Sequence, residues 1–362
     1  MNDSIYIRDA ASATALARDL AGAPRVAVDT EFVREDTYTA QLCLVQVTAG
    51  GDVACVDVQA LGGPGPLEEL LLDPSTTKVF HSARQDLEVL GDGLGRIPAP
   101  VWDTQLAAAL LGHPDQVGYG QLVEVELGVK LAKEHTRTDW SRRPLTDDQL
   151  AYAADDVRWL LPASARLEER LVGLGRMEWA LAECAALTDP ALYAFDAEGA
   201  WRRVKGAGQL EGPDFARLVA LAHWREEEAR SRNRPRRWIL KDDALLALAR
   251  AGAGAMGAVE GVPPGVWRRH GERLEALLAE ASVGPMPDRP AAVRLEPAQD
   301  RLVRRLMGRL RELAERHRVA APLLATRRDV ERLVLGRRDL PLLSGWRRDL
   351  AGAELLALAE AA

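Results

Sequence analysis

The chain has 362 residues, 47% of them hydrophobic and 28% charged, a composition that indicates a globular protein of two or three domains. No apolar run approaches the roughly 20 residues of a membrane-spanning helix, and the first residues lack the pattern of a signal peptide, so we expect a cytoplasmic protein with no membrane partner. The cysteines Cys43, Cys55 and Cys184 show no CxxC spacing and are predicted to be reduced core residues.

The net charge of −7 is distributed unevenly along the chain. Residues 1–200 hold 16 Lys and Arg against 32 Asp and Glu, whereas residues 201–362 hold 31 against 22. An acidic region suited to metal, joined to a basic region suited to phosphate, suggests an enzyme that acts on nucleic acid. Only five of the basic residues are lysine, so an arginine-biased composition is an equally good account of the charge taken alone.

Strand and helix patterns alternate over the first 200 residues. Strands are predicted at Arg25–Val33, Leu42–Thr48, Asp52–Val58, Lys78–Phe80 and near Val101. Helices are predicted at Ala11–Ala21, Leu67–Leu72, Gln85–Leu90, Gln105–Leu111, Tyr119–Glu126 and Asp147–Gly173. Because short turns join the first three strands, we expect these to pair antiparallel within a mixed α/β sheet covered by helices.

The strand pattern stops near residue 205, where Gly206-Ala207-Gly208 is typical of a linker. Residues 211–282 and 294–362 are predicted to form two all-helical units. Four prolines mark the boundary between them: Pro285, Pro287, Pro290 and Pro297. Each unit combines a long amphipathic helix with shorter ones, so a weak duplication is an open interpretation.

A pair of carboxylates lies inside one apolar strand, Val26-Ala27-Val28-Asp29-Thr30-Glu31-Phe32. Residues i and i+2 of a strand share a face, so Asp29 and Glu31 are expected side by side. Two buried carboxylates repel each other and lose hydration, which is destabilising unless a cation is bound. The pair therefore predicts a divalent-metal site.

Further acidic positions follow downstream. Asp86 is predicted in the first turn of a helix, where an ordinary N-terminal acid is the plainer interpretation. Tyr152 and Asp156 share one face of a later helix by their i, i+4 spacing, whereas Asp155 points about 100° away. Taken alone, this second group is better explained as a core tyrosine beside a solvated acidic pair.

Taken together, these residues fit a nuclease. Two divalent cations can clamp the attacking and leaving oxygens of a phosphodiester displacement, and Mg²⁺ or Mn²⁺ prefers carboxylate ligands. We predict Asp29 as the bridging ligand, Glu31 and Asp156 beside it, and Asp86 at the second metal. Tyr152 is predicted to hold the attacking water by a hydrogen bond, since a tyrosine is a weak acid near neutral pH.

At these motifs the chain resembles the ribonuclease D family. The matching segments are Val28–Arg34 with Thr37-Tyr38 and Gln41-Leu42, His81–Leu90, Trp102–Gln105, Arg137–Trp140 with Arg143-Pro144-Leu145, Tyr152–Val157 with Leu160-Leu161-Pro162, and Leu343–Arg347. The resemblance covers nearly the whole chain. It implies a ribonuclease-H-like α/β exonuclease domain at residues 1–205, followed by two all-α HRDC domains at 211–283 and 294–362.

The resemblance also implies roles for single residues. Asp29, Glu31, Asp86 and Asp156 become metal ligands, and Tyr152 becomes the residue that orients water. Asp155 stands beside a matched position and is not expected to be a ligand. Asp103 and Asp139 are interpreted as helix caps.

Substrate contacts are predicted near the strand and in the basic half. Thr30, Phe32 and Gln41 are candidates for contact with the terminal nucleotide, with core packing or backbone hydrogen bonding as the alternative. Five arginines between Arg230 and Arg237, followed by Trp238, fit phosphate contact and stacking, and a solvated helix end has the same pattern. From this cluster we select Arg234, Arg236 and Arg237.

The resulting hypothesis is a metal-dependent 3′-5′ exoribonuclease that trims structured RNA, above all tRNA precursors, and releases nucleoside 5′-monophosphates. It needs two divalent ions, Mg²⁺ or Mn²⁺, and no obligate protein partner. The alternatives are a DNA exonuclease of the same fold and an inactive nucleic-acid-binding adaptor that uses its HRDC domains. Matched RNA and DNA oligonucleotides distinguish the first alternative, and metal-dependent turnover the second.

Overall fold

A computed structural model describes residues 4–132, 138–254, 259–284 and 295–362. Its contacts divide the chain into two compact units. The first comprises Met1–Val33, Leu42–Tyr193 and Val293–Ala362, and the second comprises Arg34–Gln41 and Ala194–Ala292. Arg137 of the predicted motif and three of the four boundary prolines (Pro285, Pro287 and Pro290) lie outside the described residues.

The first unit is built on a six-stranded sheet. Its strands are β1 (Ser4–Ile7), β2 (Arg25–Val33), β3 (Gln41–Thr48), β4 (Val53–Asp57), β5 (Thr77–Phe80) and β6 (Val101–Asp103), in the order β1-β4-β3-β2-β5-β6. β3 and β4 pair antiparallel, whereas β1 with β4, β2 with β5 and β5 with β6 pair parallel. The predicted mixed sheet is confirmed, and β1 is an additional strand because four residues are too few to show a period.

Nine helices precede the basic half in the described residues. They are α1 (Ala10–Asp19), α2 (Val58–Leu61), α3 (Glu68–Leu71), α4 (Arg84–Leu94), α5 (Thr104–Ala109), α6 (Tyr119–Leu127), α7 (Asp147–Arg158), α8 (Leu160–Gly173) and α9 (Met177–Ala186). The single helix that we predicted over Asp147–Gly173 is wrong. It breaks at Trp159, whose ψ is 0°, so α7 and α8 are separate helices. A capping box of Thr146 and Gln149 begins α7.

The second unit is helical around its own apolar core. Its helices are α10 (Gly212–Ser231), α11 (Arg236–Ile239), α12 (Asp242–Ala251) and α13 (Pro264–Val283). Phe215, Leu218 and Leu221 line the buried face of α10 and pack among Leu245 and Leu274. The second unit also holds the loop Arg34–Gln41, which joins β2 to β3.

The last described helices return to the first unit. They are α14 (Pro297–His317), α15 (Ala321–Leu324), α16 (Arg327–Val334), α17 (Gly345–Arg347), a π-helical turn at Arg348–Gly352, and α18 (Ala353–Glu360). Leu306 and Leu310 of α14 belong to the same core cluster as Trp102 and Leu110 of the sheet region. Residues 295–362 therefore share a core with the sheet, although the sequence suggests a separate unit.

Among the described residues, every helix is too short or too polar to cross a bilayer.

Candidate active site

Three of the predicted ligands meet at one point. Asp29 and Glu31 lie two residues apart on β2, and Asp156 lies in the last turns of α7. One carboxylate oxygen of each lies within 4.8 Å of the others. Because β2 is a central strand with buried Val26, Ala27 and Val28 before the pair, the two carboxylates are held at the edge of a rigid core. The structure thus brings together the strand pair and the helical acid that the sequence spacing suggested.

Asp86 is buried beside this group without belonging to it. It lies in the first turn of α4, and its Oδ1 accepts a hydrogen bond of 2.6 Å from Thr30 Oγ1. After burial, the charge of Asp86 is the largest factor that raises the pKa of Asp29. Thr30, which we predicted to contact substrate, is itself buried and uses its hydroxyl on Asp86. The observed contact shows that Thr30 orients Asp86, and its contact with substrate stays a prediction.

Asp103 supports the position of Asp86 from the neighbouring strand. It caps α5 as predicted, accepting from the backbone N–H of Gln105 and Leu106. It also accepts from the N–H groups of Ser82 and Ala83, at 3.1 and 2.9 Å, in the turn that begins α4. This second role was absent from the sequence interpretation, and the close pairing of β5 with β6 explains it.

Tyr152 is oriented at the acidic group by two contacts. Its hydroxyl is hydrogen-bonded to Asp156, and its ring stacks on Trp140 with centroids 6.3 Å apart. Burial and the charges of Asp156, Glu31 and Asp29 raise the pKa of Tyr152, so the hydroxyl stays protonated. It can orient water and is a poor base.

Tyr119 is a supporting residue that sequence reasoning missed. Its hydroxyl donates to the carbonyl of Asp155 at 3.1 Å and accepts from the N–H of Trp159 at 3.2 Å. Both partners lie at the break between α7 and α8. Tyr119 therefore holds the end of the helix that carries Asp156. Its sequence signal, a lone tyrosine at a helix start, is too weak to identify it.

The electrostatics of the group favour a bound cation. Burial, with the charges of Asp156 and Asp86, raises the pKa of Glu31 to about 8. Burial raises the pKa of Asp86 to about 7, and burial with the charge of Asp155 raises that of Asp156 to about 7. The pKa of Asp29 rises well above its usual range, mainly through burial and then through Asp86. Hard, mutually repelling carboxylate oxygens fit divalent Mg²⁺ or Mn²⁺.

These shifts predict a pH dependence of the metal-free protein. A carboxyl whose pKa is raised on folding favours the folded state below its unfolded pKa, and this contribution disappears as pH rises through the folded pKa. In chelator, we expect the Tm to fall between pH values of about 4.5 and about 8, and millimolar Mg²⁺ should oppose this fall. Differential scanning fluorimetry measures both series. A Tm in chelator that stays level or rises across this window contradicts the predicted repulsion, and Glu31→Gln should flatten the fall.

Several neighbouring residues have structural roles. Asp155, which we did not expect to be a ligand, pairs with Arg158 at 3.0 Å. His81 is bound at both ring nitrogens, by Thr104 Oγ1 and the Val117 carbonyl, each at 2.9 Å. The predicted cap at Asp139 is wrong in detail, because this residue closes a turn onto Ser141 and no helix begins there.

Arg143 takes part in a buried ion pair that the sequence did not reveal. Its Nε and Nη2 donate to the two carboxylate oxygens of Asp57 at 2.6 and 2.7 Å. Asp57 also accepts from Tyr6 and from the N–H of Ala60, which begins α2. The pair fixes the Trp140–Arg143 loop, and thereby the ring that stacks on Tyr152.

The residues predicted to contact RNA differ in their exposure to solvent. Phe32 is half-buried on β2, and Gln41 is exposed at the first position of β3. In the second unit, Arg237 and Trp238 are exposed, and the Arg234 guanidinium lies 5.7 Å from the Trp238 ring centroid. These residues remain predicted substrate contacts.

Arg236 also takes part in an ion pair. Its Nε and Nη2 donate to the buried carboxylate of Glu226 at 2.5 and 2.7 Å. The Arg236 side chain is still 38% exposed, so the ion pair adds a structural role and the predicted substrate contact stays a prediction. The sequence could not show this, because the partner is ten residues away on another helix.

Sequence comparisons follow the same division of the chain. The profile of 3′-5′ exonucleases matches residues 4–172, and the profile of the HRDC domain matches residues 214–278. Ribonuclease D of Acidiphilium cryptum is 41% identical over 98% of this chain and 93% of its own length. Ribonuclease D of Escherichia coli is 35% identical over 92% of each chain. The chain belongs to the ribonuclease D family.

Structural comparison agrees with this assignment. The crystal structure of Escherichia coli RNase D, described as an exoribonuclease involved in structured RNA processing, has a TM-score of 0.89 and 33% identity and covers 99% of both chains. As a ribonuclease D, the chain is a 3′-5′ exoribonuclease, which confirms the predicted class of enzyme. The ribonuclease-H-like mixed-sheet fold is likewise confirmed, and exonucleases of this type use divalent metals.

Proposed function

We propose that this ribonuclease D trims the 3′ ends of structured RNA, tRNA precursors above all, and releases nucleoside 5′-monophosphates. The observation that carries the proposal is the convergence of Asp29, Glu31 and Asp156 within 4.8 Å, beside buried Asp86. The family assignment supplies the direction of cleavage. We further propose that the enzyme works in the cytoplasm and needs no obligate protein partner.

The four carboxylates would hold two ions, Mg²⁺ or Mn²⁺. When bound, the ions supply a more acidic water and neutralise charge at the leaving 3′ oxygen. Asp29, Glu31 and Asp156 present oxygens from one rigid strand and one pinned helix end, so little reorganisation is required. Thr30 and Asp103 keep Asp86 and its turn in place. The Tyr152 hydroxyl holds the attacking water beside Asp156.

Tyr152→Phe tests the role in water positioning. The ring and its stacking on Trp140 remain, so metal binding and folding should be intact, while kcat falls about a hundredfold through the loss of one positioned hydrogen bond. Steady-state kinetics on a short RNA measure this change, and KM should stay within about twofold. A variant with wild-type kcat excludes this role for the hydroxyl.

The proposed domain organisation is an exonuclease domain at 1–205 and HRDC domains at 211–283 and 294–362. The profile match at 214–278 supports the middle domain. We propose that its exposed Arg237 and Trp238, with Arg234, bind the RNA body by phosphate contact and stacking. Phe32 and Gln41 are proposed to contact the terminal nucleotide.

Digestion of matched substrates tests the proposed function. A tRNA precursor with a 3′ trailer, the same RNA without the trailer, and a DNA copy are each labelled at the 5′ or the 3′ end and incubated with Mg²⁺ or chelator. We expect loss of the 3′ label as mononucleotide, stepwise shortening of the 5′-labelled precursor, and neither in chelator. Equal degradation of the DNA copy, or failure to shorten the trailer, contradicts the proposed substrate.

A further inference from the structure

The loop between the catalytic strand β2 and strand β3 is attached to the helical unit. We call this loop, Arg34–Gln41, the strap. Its ends continue directly into β2 and β3, which belong to the first unit, whereas the strap packs with the second unit. Thr37-Tyr38 belongs to the first motif of the sequence resemblance, but the proposed chemistry gives these two residues no role.

Tyr38 is the apolar anchor of the strap. Its ring packs against the core of the helical unit, with Phe195 at 6.4 Å in an edge arrangement and the Arg236 guanidinium at 4.8 Å. Its hydroxyl donates to Glu226 Oε1 at 2.5 Å. Glu226 is 1% exposed and is held by Arg236 and Arg203. The strap thus directs a tyrosine to a buried carboxylate that already pairs with two arginines.

Asn233 is the polar anchor of the strap. Its Oδ1 accepts from the N–H of Tyr38 at 3.0 Å, and from the N–H and the hydroxyl of Thr39, both at 3.2 Å. Asn233 has a φ of 47°, a left-handed conformation that asparagine tolerates better than most residues. Arg234 adds a longer bond, 3.4 Å, to the carbonyl of Asp36. One side chain at the end of α10 thus fixes two consecutive strap amides.

We propose that the strap is a positioning device, through which the helical unit holds the end of β2 and thereby the carboxylate of Glu31. The inference rests on the proposed function, because it assigns Tyr38 and Asn233 to positioning for the same reaction. Only Phe32 and Val33 separate Glu31 from the strap. A strand end that carries a ligand must be held closely, since a displacement of about 1 Å can cost about a hundredfold in rate.

Two substitutions loosen the strap with little disturbance elsewhere. Tyr38→Phe removes only the hydroxyl that donates to Glu226. Asn233→Gly removes the shared acceptor and suits the positive φ. Asn233→Asp keeps an acceptor oxygen in the same place. The matched control is Ser282→Ala, which removes another hydroxyl of the helical unit, one that donates to the Leu278 carbonyl within α13.

The full-length double variant Tyr38→Phe/Asn233→Gly is compared with wild type by amide hydrogen exchange and by kinetics on a 5′-labelled single-stranded RNA in Mg²⁺. We expect exchange at Tyr38 and Thr39 to accelerate about tenfold, since both amides lose their acceptor. The kcat should fall about five- to tenfold with KM within about twofold. Ser282→Ala should leave kcat unchanged. The double variant Tyr38→Phe/Asn233→Asp should have a kcat near that of Tyr38→Phe alone.

Three results for the double variant overturn the inference. The first is faster amide exchange with a wild-type kcat, the second is a rise in KM with no change in kcat, and the third is amide exchange at the wild-type rate. A rise in KM alone means that the helical unit contributes to RNA binding and has no effect on the catalytic strand. Failure of the proposed function is distinguishable, because wild-type protein would then release no mononucleotide from RNA.

Discussion

Asp29→Asn is expected to abolish RNA hydrolysis and to stabilise the metal-free protein. Turnover in Mg²⁺ should fall at least about a thousandfold, equivalent to about 4 kcal/mol of transition-state stabilisation, because Asp29 would lose a charged oxygen from the proposed metal ligands. In chelator near pH 8, the Tm should rise. Asparagine has nearly the same shape as aspartate but removes one charge from a group whose members raise one another's pKa values. Kinetics and scanning fluorimetry measure the two effects.

The opposite directions of these effects separate a site residue from a structural one. The matched control is Asp155→Asn, one position from Asp156 and paired with Arg158. It should retain activity within about threefold, because the ion pair is partly exposed and weak. Lower Tm and lower activity together in Asp29→Asn would indicate a folding role for Asp29.

Shortening the chain after Gly284 is expected to destabilise the exonuclease sheet itself. The removed residues include Leu306 and Leu310, which are fully buried in the core that also contains Trp102 and Leu110. The N–H of Ala320 donates to the carbonyl of Ala109 at 2.8 Å, at the end of α5. Exposure of several core leucines costs about 2 kcal/mol or more for each, enough to exceed the stability of an ordinary domain. The shortened chain should be insoluble or show no cooperative unfolding by calorimetry.

Arg347 provides a milder test of the same contact. It donates to both oxygens of Glu183 on α9 at 2.6 and 2.7 Å, and Trp346 stacks on Trp179 with centroids 5.1 Å apart. Arg347→Ala should lower the free energy of unfolding of the first unit by about 2 kcal/mol, a value discounted for partial exposure. The matched control Arg338→Ala breaks an exposed pair with Glu360 and should cost less than about 0.5 kcal/mol.

Calorimetry decides how residues 295–362 are attached. If they share a core with the sheet, Arg347→Ala shifts the transition of the exonuclease region. If they form an independent domain, only a separate C-terminal transition moves, and the exonuclease region of the shortened chain keeps its Tm.

The sequence predicts the site better than its supports. The strand pattern of β2 and the helical spacing of α7 are local properties, so they pair Asp29 with Glu31 and Tyr152 with Asp156. The family resemblance joins the two pairs. The break at Trp159 is invisible to period analysis, because α7 and α8 are both amphipathic. The contact that holds it, from Tyr119, comes from another helix. Local patterns thus indicate candidate ligands, and tertiary contacts determine how these are oriented.

Long-range pairing explains the remaining differences. Arg236 and Arg237 are adjacent and equally basic, yet of the two it is Arg236 that forms an ion pair with Glu226. The sequence could not distinguish an arginine with a buried partner from an exposed one. Residues 295–362 have the sequence pattern of a separate helical domain. A helix can bury the same leucines against its own domain or against a neighbouring sheet. The sequence pattern shows that the face is buried and leaves its partner undetermined.

The central claim is that Asp29, Glu31, Asp86 and Asp156 form a metal-dependent centre that hydrolyses RNA from its 3′ end. The most direct test is a time course in which a 5′-labelled RNA is digested by wild type and by Asp29→Asn, each in Mg²⁺ and in chelator. The account predicts a ladder that shortens one nucleotide at a time, for wild type in Mg²⁺ alone. Hydrolysis by Asp29→Asn at the wild-type rate, or a ladder that persists in chelator, would contradict it.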